Sequence, residues 1–371
     1  MRRLTSFADS FRPATLSRRD LLRAFAAGAV VIPTTLSGQQ AGRGAAPVDT
    51  TPLVPPFEPT GWTTVWLDHL SYQCVDYRQA AAFYIALMGW KLRSDDGKQA
   101  LLDIGENSGG ILIRGGLAAP PPAAITDAGL GVSRPPVRAV FDGFAWGNTP
   151  WDTDKVKDEL VKRGLKPVAD HVGAEYRSFH VKDPDGFDVA VTNGTKALRR
   201  KTPATAKLAV TAPFEPTGWN TLYLDHISFE VPDFRRSAAF YQALLGWSVR
   251  LGNANQASVQ IGDIGGAIIR GNAATRARAN AAASGTAMPP PVQPPAPANA
   301  VNAAIGHISF GIENWETERV RAELKKRDVV YVNREGQREP RPDMTGTLES
   351  FHVPDAMGWD LQIGNKIAPN R

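Results

Sequence analysis

The side chains best suited to chemistry in this chain are its histidines, and most of them stand in settings that occur twice. Of six histidines, His69 and His226 each follow Leu-Asp in an apolar stretch (Leu67-Asp68-His69-Leu70-Ser71 and Leu224-Asp225-His226-Ile227-Ser228). His180 and His352 each stand in Ser-Phe-His-Val, His307 in Gly306-His307-Ile308-Ser309-Phe310, and His171 in a loop-like stretch. Arg114 and Arg270 both stand in Ile-Arg-Gly. Histidine titrates near neutral pH and serves as acid, base or metal ligand, and the arginine fork matches carboxylates. His180 and His352 are therefore candidate catalytic acid–base groups, and Arg270 and Arg114 candidate anchors for an anionic substrate. Plainer roles stand beside these. Shared packing also repeats a strand histidine, a lone His69 suits a hydrogen-bonded structural role, and arginines often pair with a nearby carboxylate. Cys74 is the only cysteine, so an intramolecular disulfide and any Cys-built zinc or redox motif are excluded.

The repetition extends along the whole chain. Pro213-Phe214-Glu215-Pro216-Thr217-Gly218-Trp219 repeats Pro56-Phe57-Glu58-Pro59-Thr60-Gly61-Trp62; Ala238-Ala239-Phe240-Tyr241 repeats Ala81-Ala82-Phe83-Tyr84; Gly246-Trp247 repeats Gly89-Trp90. These pairs share an offset of 157, whereas Ser350-Phe351-His352-Val353 lies 172 beyond its counterpart, so the second copy carries a longer internal loop. A period of this size is a domain, not a solenoid unit.

Within each copy the pattern switches between periods of two and of three to four. Residues 64–75 alternate as a strand around His69. Tyr77 to Leu87 is helical, with Ala80, Phe83, Tyr84 and Leu87 on one face, closed by Gly89. Strands are predicted near 99–104 and 109–114. A second strand–helix–strand–strand–strand round follows: a strand near 137–144, a helix near 152–163 with Val156, Leu160 and Val161 inward, and strands near 166–170, 176–182 and 186–192. The second copy repeats the plan with strand 221–231, helix 233–245, strands near 247–251, 256–261 and 265–270, strand 305–312, helix 315–327, and strands near 329–333, 347–353 and 358–363. Tyr84 and Tyr241 read as core, and Trp62 and Trp219 as packing each leading segment on its own domain. The Ala/Pro-rich stretch 271–304 reads as a loop, too poor in large apolar groups to fold alone, with 115–136 as its shorter counterpart.

The first residues resemble an export address. Ser17-Arg18-Arg19-Asp20-Leu21-Leu22 is similar to a twin-arginine signal, followed by a short apolar run from Ala24 to Ile32. That run falls short of the roughly 20 apolar residues a bilayer span needs. The expected organisation is a signal over 1–43, a linker over 44–56, a first domain over 57–198, a linker over 199–213 and a second domain over 214–371. Residues 1–43 hold seven Arg and two Asp, a surplus of five that equals the net charge of the whole chain, so the remainder is neutral. A neutral remainder argues against a nucleic-acid partner. Nor is stable membrane insertion expected once the signal is removed. The twin-arginine machinery is the implied partner, with a periplasmic or secreted destination.

Two strand–helix–strand–strand–strand modules per domain, leading strands with Asp-His, helices with Phe-Tyr ending in Gly-Trp, and Asp183-Pro184-Asp185-Gly186 before a last strand together resemble the vicinal-oxygen-chelate superfamily. Its members include glyoxalases, bleomycin-resistance proteins and extradiol dioxygenases. The resemblance covers about 57–198 and 214–366. It implies an α+β fold of tandem βαβββ modules, two per domain, forming two cup-shaped, mixed-sheet, partly open barrels. It also implies a divalent metal held by inward residues of the first and last strands, with positions left open for vicinal oxygens of a small molecule. On that pattern the second domain's ligands are His226, His307 and Gln362, the last standing where the family usually has a carboxylate. Asp360, two residues earlier on the same face, is the alternative oxygen donor. Such a set suits Fe, Mn, Zn or Ni alike. In the first domain Ala139 and Ala190 align with His307 and Gln362, so that domain is expected to be metal-free. The implied activity is a metal-dependent dioxygenase or a glyoxalase- or lyase-like enzyme, with a metal-free sequestering protein of the bleomycin-resistance type as the alternative.

Overall fold

Strict alternation of side chains places one face of each long strand against a hydrophobic layer and leaves the other polar. In the computed structural model, which describes residues 51–368 apart from 107, 119–124, 128–131, 171–174, 202–209, 253–254 and 284–300, that rule builds both copies. The expected leader, His171 and much of the Ala/Pro-rich stretch lie outside the described residues. The first copy runs β1 (Thr63–Cys74), α1 (Tyr77–Met88), β2 (Lys91–Asp95), β3 (Gln99–Asp103) and β4 (Gly110–Arg114). After the short β5 (Ile125–Asp127) and β6 (Val132–Arg134) come β7 (Ala139–Thr149), α2 (Thr153–Lys162), β8 (Val168–Asp170), β9 (Ser178–Lys182), β10 (Asp188–Thr192) and α3 (Lys196–Lys201). The second copy runs β11 (Thr221–Val231), α4 (Phe234–Leu245), β12 (Ser248–Leu251), β13 (Gln256–Ile261), β14 (Gly265–Gly271) and α5 (Ala273–Ala283). It ends with β15 (Ala304–Ile312), α6 (Thr317–Lys326), β16 (Tyr331–Asn333), β17 (Arg338–Glu339), β18 (Arg341–Thr345), β19 (Leu348–Pro354) and β20 (Asp360–Gly364).

Each copy forms one eight-stranded mixed sheet, in the orders β2-β3-β4-β1-β7-β10-β9-β8 and β12-β13-β14-β11-β15-β20-β19-β18. The first and last strands of every module pair in parallel, and the two modules meet through antiparallel β1–β7 or β11–β15. The sheets keep free edges, so the expected barrels are open cups. Helices α1 and α4 start on Asp76 and Asp233, whose carboxylates accept two backbone N–H groups each, a strong N-cap.

Three expectations are corrected. The edge strand of the last module is not the segment near 329–333, which joins a separate four-stranded sheet with β17, β6 and β5; it is β18, absent from the sequence reading because Pro342, Asp343 and Thr345 give it no apolar alternation. The start of the Ala/Pro-rich stretch is helical as α5, in keeping with the high helix propensity of Ala and Arg. Val161 is 55% exposed while Val156 and Leu160 are buried; a ten-residue helix packs a single stripe, and Val161 falls beside it.

Trp62 and Trp219 are buried, and through their backbone the leading segments reach the other copy. Gly89 and Gly246 end α1 and α4 at φ 70° in the left-handed region, and a Cβ on either would overlap the carbonyl oxygen of Trp219 or Trp62 respectively. The indole of Trp90 donates to Thr221 at 2.9 Å, and that of Trp247 to Thr64 at 3.1 Å. The turns before β20 and β10 plug the opposite helices: Tyr72 and Tyr84 donate to Asp355 at 2.5 and 2.8 Å, and Tyr241 donates to Asp183 at 2.8 Å. Tyr84 and Tyr241 are thus core residues with a structural hydrogen bond.

Burial, then the neighbouring Asp185, pushes the Asp183 carboxyl from its ordinary 3.8 up to about 7. A folded-state value raised above the unfolded one favours the folded chain below pH ~4 and loses that contribution as pH rises through ~7. The urea midpoint of the parent, relative to Asp183→Asn, is therefore expected to fall between pH 4 and 7. A constant difference across that range would refute the assignment.

Candidate metal centre

The polar face of the second cup gathers His226 and Glu230 from β11, Arg270 from β14, His307 and Ser309 from β15, and Asp360 and Gln362 from β20. Ser350 and His352 come from β19, and Arg341 and Asp343 from β18. Register explains the convergence. Ser228 lies opposite His307, His226 opposite Ser309, Ser309 beside Gln362, and Gln362 opposite His352. A register shift between Leu224 and His226 sets the His226 ring toward its neighbour.

The Nε2 atoms of His226 and His307 face each other at 3.0 Å. Two metal–nitrogen bonds of about 2.1 Å at a right angle place their nitrogens about 3.0 Å apart. The far nitrogen of His226, Nδ1, contacts Asp225 Oδ2 at 2.8 Å, which makes Nδ1 the protonated site and aims the Nε2 lone pair into the cup. Burial alone would raise the Asp225 carboxyl, but the hydrogen bond and charge of His226 and the Lys366 ammonium, 2.9 Å from Oδ1, hold it at about 2. Burial, then the neighbouring His226 and His352, drives His307 well below the usual imidazole range, so its ring is neutral, the form that ligates metals. Gln362 donates from Nε2 to Ser350 Oγ at 2.8 Å, leaving its carbonyl Oε1 buried without a hydrogen-bond partner. An orphaned buried acceptor on β20, beside Ser309 and so in register with His226, is what a cation would satisfy.

A second grouping overlaps the first: ligand atoms of His307, His352 and Asp360 lie within 4.8 Å of one another. Part of that set is committed elsewhere. His352 Nδ1 contacts Asp360 Oδ2 at 3.1 Å, and Tyr331 donates to Asp360 Oδ1 at 2.9 Å. Asp360 is therefore not a solvated strand-end carboxylate; it is 3% exposed and committed to its neighbours. Beside it stand His226 and His307, facing each other through Nε2, and Gln362, whose Oε1 is without a hydrogen-bond partner. His352 is 2% exposed and reaches toward Asp343 Oδ2 at 3.8 Å through Nε2, so it stands in a chain of carboxylates beside the set. Asp225, Tyr331, Arg341, Asp343 and Lys366 were missed by sequence reasoning. Only Asp225, adjacent to His226 in a repeated dipeptide, carried a signal there.

The first cup keeps the frame and lacks two of the three candidate ligands. His69 with Asp68 mirrors His226 with Asp225, at 2.8 Å in both, and His180 with Asp188, at 2.6 Å, mirrors His352 with Asp360. His180 thus belongs to this cup and not to the histidine cluster, and the Asp188 hydrogen bond raises its pKa. The counterpart of His307 is Gly143, not Ala139: Gly143 lies opposite Ser71 as His307 lies opposite Ser228. The four-residue error arises because β7 starts further from the cup than the aligned apolar letters suggest. Ala190 does replace Gln362, sitting beside Ala145 as Gln362 sits beside Ser309. A Cβ at Gly143 would meet the Asp188 carbonyl oxygen at 2.6 Å, so β7 and β10 have closed where a histidine would stand. With those side chains gone, a cavity of about 1060 Å³ opens among His69, Arg114, Phe144, Tyr176, His180 and Arg199. This cavity and the histidine cluster are therefore in different cups.

Residues 66–191 match the family described as Glyoxalase/Bleomycin resistance protein/Dioxygenase superfamily. No curated protein matches the chain in sequence. Solved structures of similar fold include the Mn(II)-bound glyoxalase from Novosphingobium aromaticivorans, at 13% identity and TM-score 0.51, covering 82% of each chain. Homoprotocatechuate 2,3-dioxygenase from Brevibacterium fuscum, in complex with 3,4-dihydroxyphenylacetate, is similar at 15% identity and TM-score 0.52, covering 85% of this chain and 83% of its own. The corresponding enzyme from Arthrobacter globiformis is similar at 15% identity and TM-score 0.51, with the same coverage. Residues 66–191 thus match the model of the glyoxalase, bleomycin-resistance and dioxygenase superfamily, and the tandem cups share the two-domain fold of these glyoxalase and dioxygenase structures.

Proposed function

We propose that the second cup is the divalent-metal centre of an exported enzyme acting on a small molecule with two adjacent oxygens. The reaction class is ring-cleaving dioxygenation or glyoxalase- or lyase-like chemistry. The observation that carries this reading is the unpartnered Gln362 Oε1 beside the converging Nε2 atoms of His226 and His307. A bound Fe, Mn, Zn or Ni ion would polarise the two substrate oxygens and favour their deprotonated form. The chain's own residues prepare for it. Asp225 fixes the His226 tautomer, and His226 together with the Lys366 ammonium keeps Asp225 ionised. His352, held between Asp360 and Asp343, is placed to take or return a proton at Nε2.

The full chain, expressed with these metals supplied and recovered from the periplasm, is expected to hold about one metal per chain by mass spectrometry, as one site implies. His226→Ala and His307→Ala are expected to lose it, while Gln362→Ala binds about 10- to 100-fold more weakly. A metal-free parent that also refuses metal on reconstitution would sink the enzyme reading. A second reading, a metal-free ligand cup, is favoured in the first copy by the cavity at Gly143 and Ala190, whose volume suits a small organic molecule.

A further inference from the structure

Comparing the two cups position by position exposes a difference in charge that neither the repeats nor the histidines announce. Arg114 and Arg270 occupy the same place, each on the last strand of a leading module beside the corresponding residue of the first strand, Gln73 or Glu230. In the first cup Arg114 Nη2 donates to Asp142 and, at 3.2 Å, to Ser71. In the second cup the residue at the place of Asp142 is Gly306, the one before His307 just as Asp142 precedes Gly143. Among the described residues no hydrogen bond is made to the Arg270 side chain, and its buried Nε is without a partner. Glu230, its strand neighbour, lies 3.7 Å from Arg276. Burial, in turn, presses the Arg270 guanidinium below its ordinary range.

The opposite wall differs in the same sense. Arg341 sits opposite His352, where the first cup has Val168 opposite His180. Its Nη2 is 3.8 Å from Asp360 Oδ2, beyond hydrogen-bond reach, and its Nε is also buried and unpartnered. A buried guanidinium nitrogen without an acceptor is costly, even where carboxylates such as Asp343 and Asp360 stand near the half-buried group, and an incoming anion supplies the missing acceptor. The candidate ligands add to the imbalance, because two neutral imidazoles and an amide leave a divalent ion's charge intact where a carboxylate ligand would halve it. Both terms ask for negative charge on whatever enters.

Resting on the metal reading above, we infer that the second cup takes a substrate bearing a carboxylate in addition to its vicinal oxygens, with Arg270 and Arg341 as the residues that select it. The first cup, where Asp142 occupies one arginine and Val168 replaces the other, does not share this preference.

The test is titration calorimetry on the full chain loaded with Zn(II), comparing 3,4-dihydroxybenzoate with catechol. The carboxylated diol is expected to bind about 10- to 100-fold more tightly, the range a charge-assisted arginine contact supplies. Arg270→Met and Arg341→Met are each expected to reduce that ratio at least several-fold, with the zinc content unchanged. Gly306→Asp restores the arrangement of the first cup while keeping Arg270; the space at Gly306 is adequate, its nearest neighbour to a new Cβ being Glu230 Oε1 at 3.5 Å. It too is expected to lower the ratio. Equal affinity of the parent for the two diols, or a preference that survives all three substitutions, overturns the inference and leaves the metal reading standing. If the parent holds no zinc, the metal reading fails on its own. Benzoate titrated into the metal-free parent and Arg270→Met then decides the carboxylate question: binding lost in the variant upholds it, and no binding to the parent overturns it.

Discussion

Asp355→Ala is expected to destabilise the chain by about 4 kcal/mol or more, because four buried donors lose their acceptor and each orphan costs about 1–3 kcal/mol. The Asp355 Oδ1 atom accepts the backbone N–H groups of Met357 and Trp359, both at 2.8 Å, and Oδ2 accepts the Tyr72 and Tyr84 hydroxyls. Both tyrosines are essentially fully buried, so no water replaces the carboxylate. This one side chain ties the last turn of the second copy to the first strand and helix of the first copy. Tyr84→Phe removes a donor without stranding the acceptor, which keeps three others, and is expected to cost about 1 kcal/mol. Urea unfolding read by tryptophan fluorescence separates the two variants. An Asp355→Ala midpoint matching that of Tyr84→Phe would mean that the turn relaxes and the copies are not fastened here.

Gly311→Ala is expected to damage both stability and the candidate site. A Cβ at Gly311 would overlap the carbonyl oxygen of Lys366, which is backbone and cannot rotate away. Relief requires β15 or the segment at 366–367 to move, at a cost of about 3 kcal/mol, the upper end for overpacking. Lys366 carries the ammonium that meets Asp225, and Asp225 orients His226. Displacing it is expected to weaken zinc binding about 10-fold or more, the usual effect of disturbing a partner behind a metal ligand. Gly364→Ala is the control. Its Cβ would meet Ser350 Cβ at 3.1 Å and the Glu349 carbonyl oxygen at 3.2 Å, a contact that small shifts relieve. Zinc competition and urea midpoints on both variants check the chain of contacts. A Gly311→Ala variant with parental zinc affinity would show that Lys366 is not needed to hold Asp225.

Together these expectations divide the molecule into parts whose causes differ. The fastening of the copies rests on buried carboxylates in turns. The candidate centre rests on two histidines, an amide, and the charged residues behind them.

Local pattern was sufficient for much of this. Alternation around His69 and His226 put those rings on the polar faces of β1 and β11, because side chains of a strand alternate with period two whatever the strand pairs with. Gly89 and its repeat Gly246 closed α1 and α4, since caps act within a turn of their own residue. The constant offset between copies made the tandem plan plain, and His307 and Gln362 fell on adjacent strands of one cup as the family resemblance implied. What escaped was everything set by pairing between distant segments. Gly143 stands in the place assigned to Ala139 because pairing with β1, not the run of apolar letters, decides which residue of β7 lies opposite Ser71. β18, with Arg341 and Asp343, has no hydrophobic period and exists as a strand only because β19 offers it an edge. The contrast between Arg114 and Arg270 turns on Asp142 against Gly306, residues 28 and 36 positions away along the chain. Letters one after another determine which way a side chain faces. Only the closed cup determines which buried groups meet there and which are left without a partner, because burial and charge pairing depend on neighbours that sequence distance does not reveal.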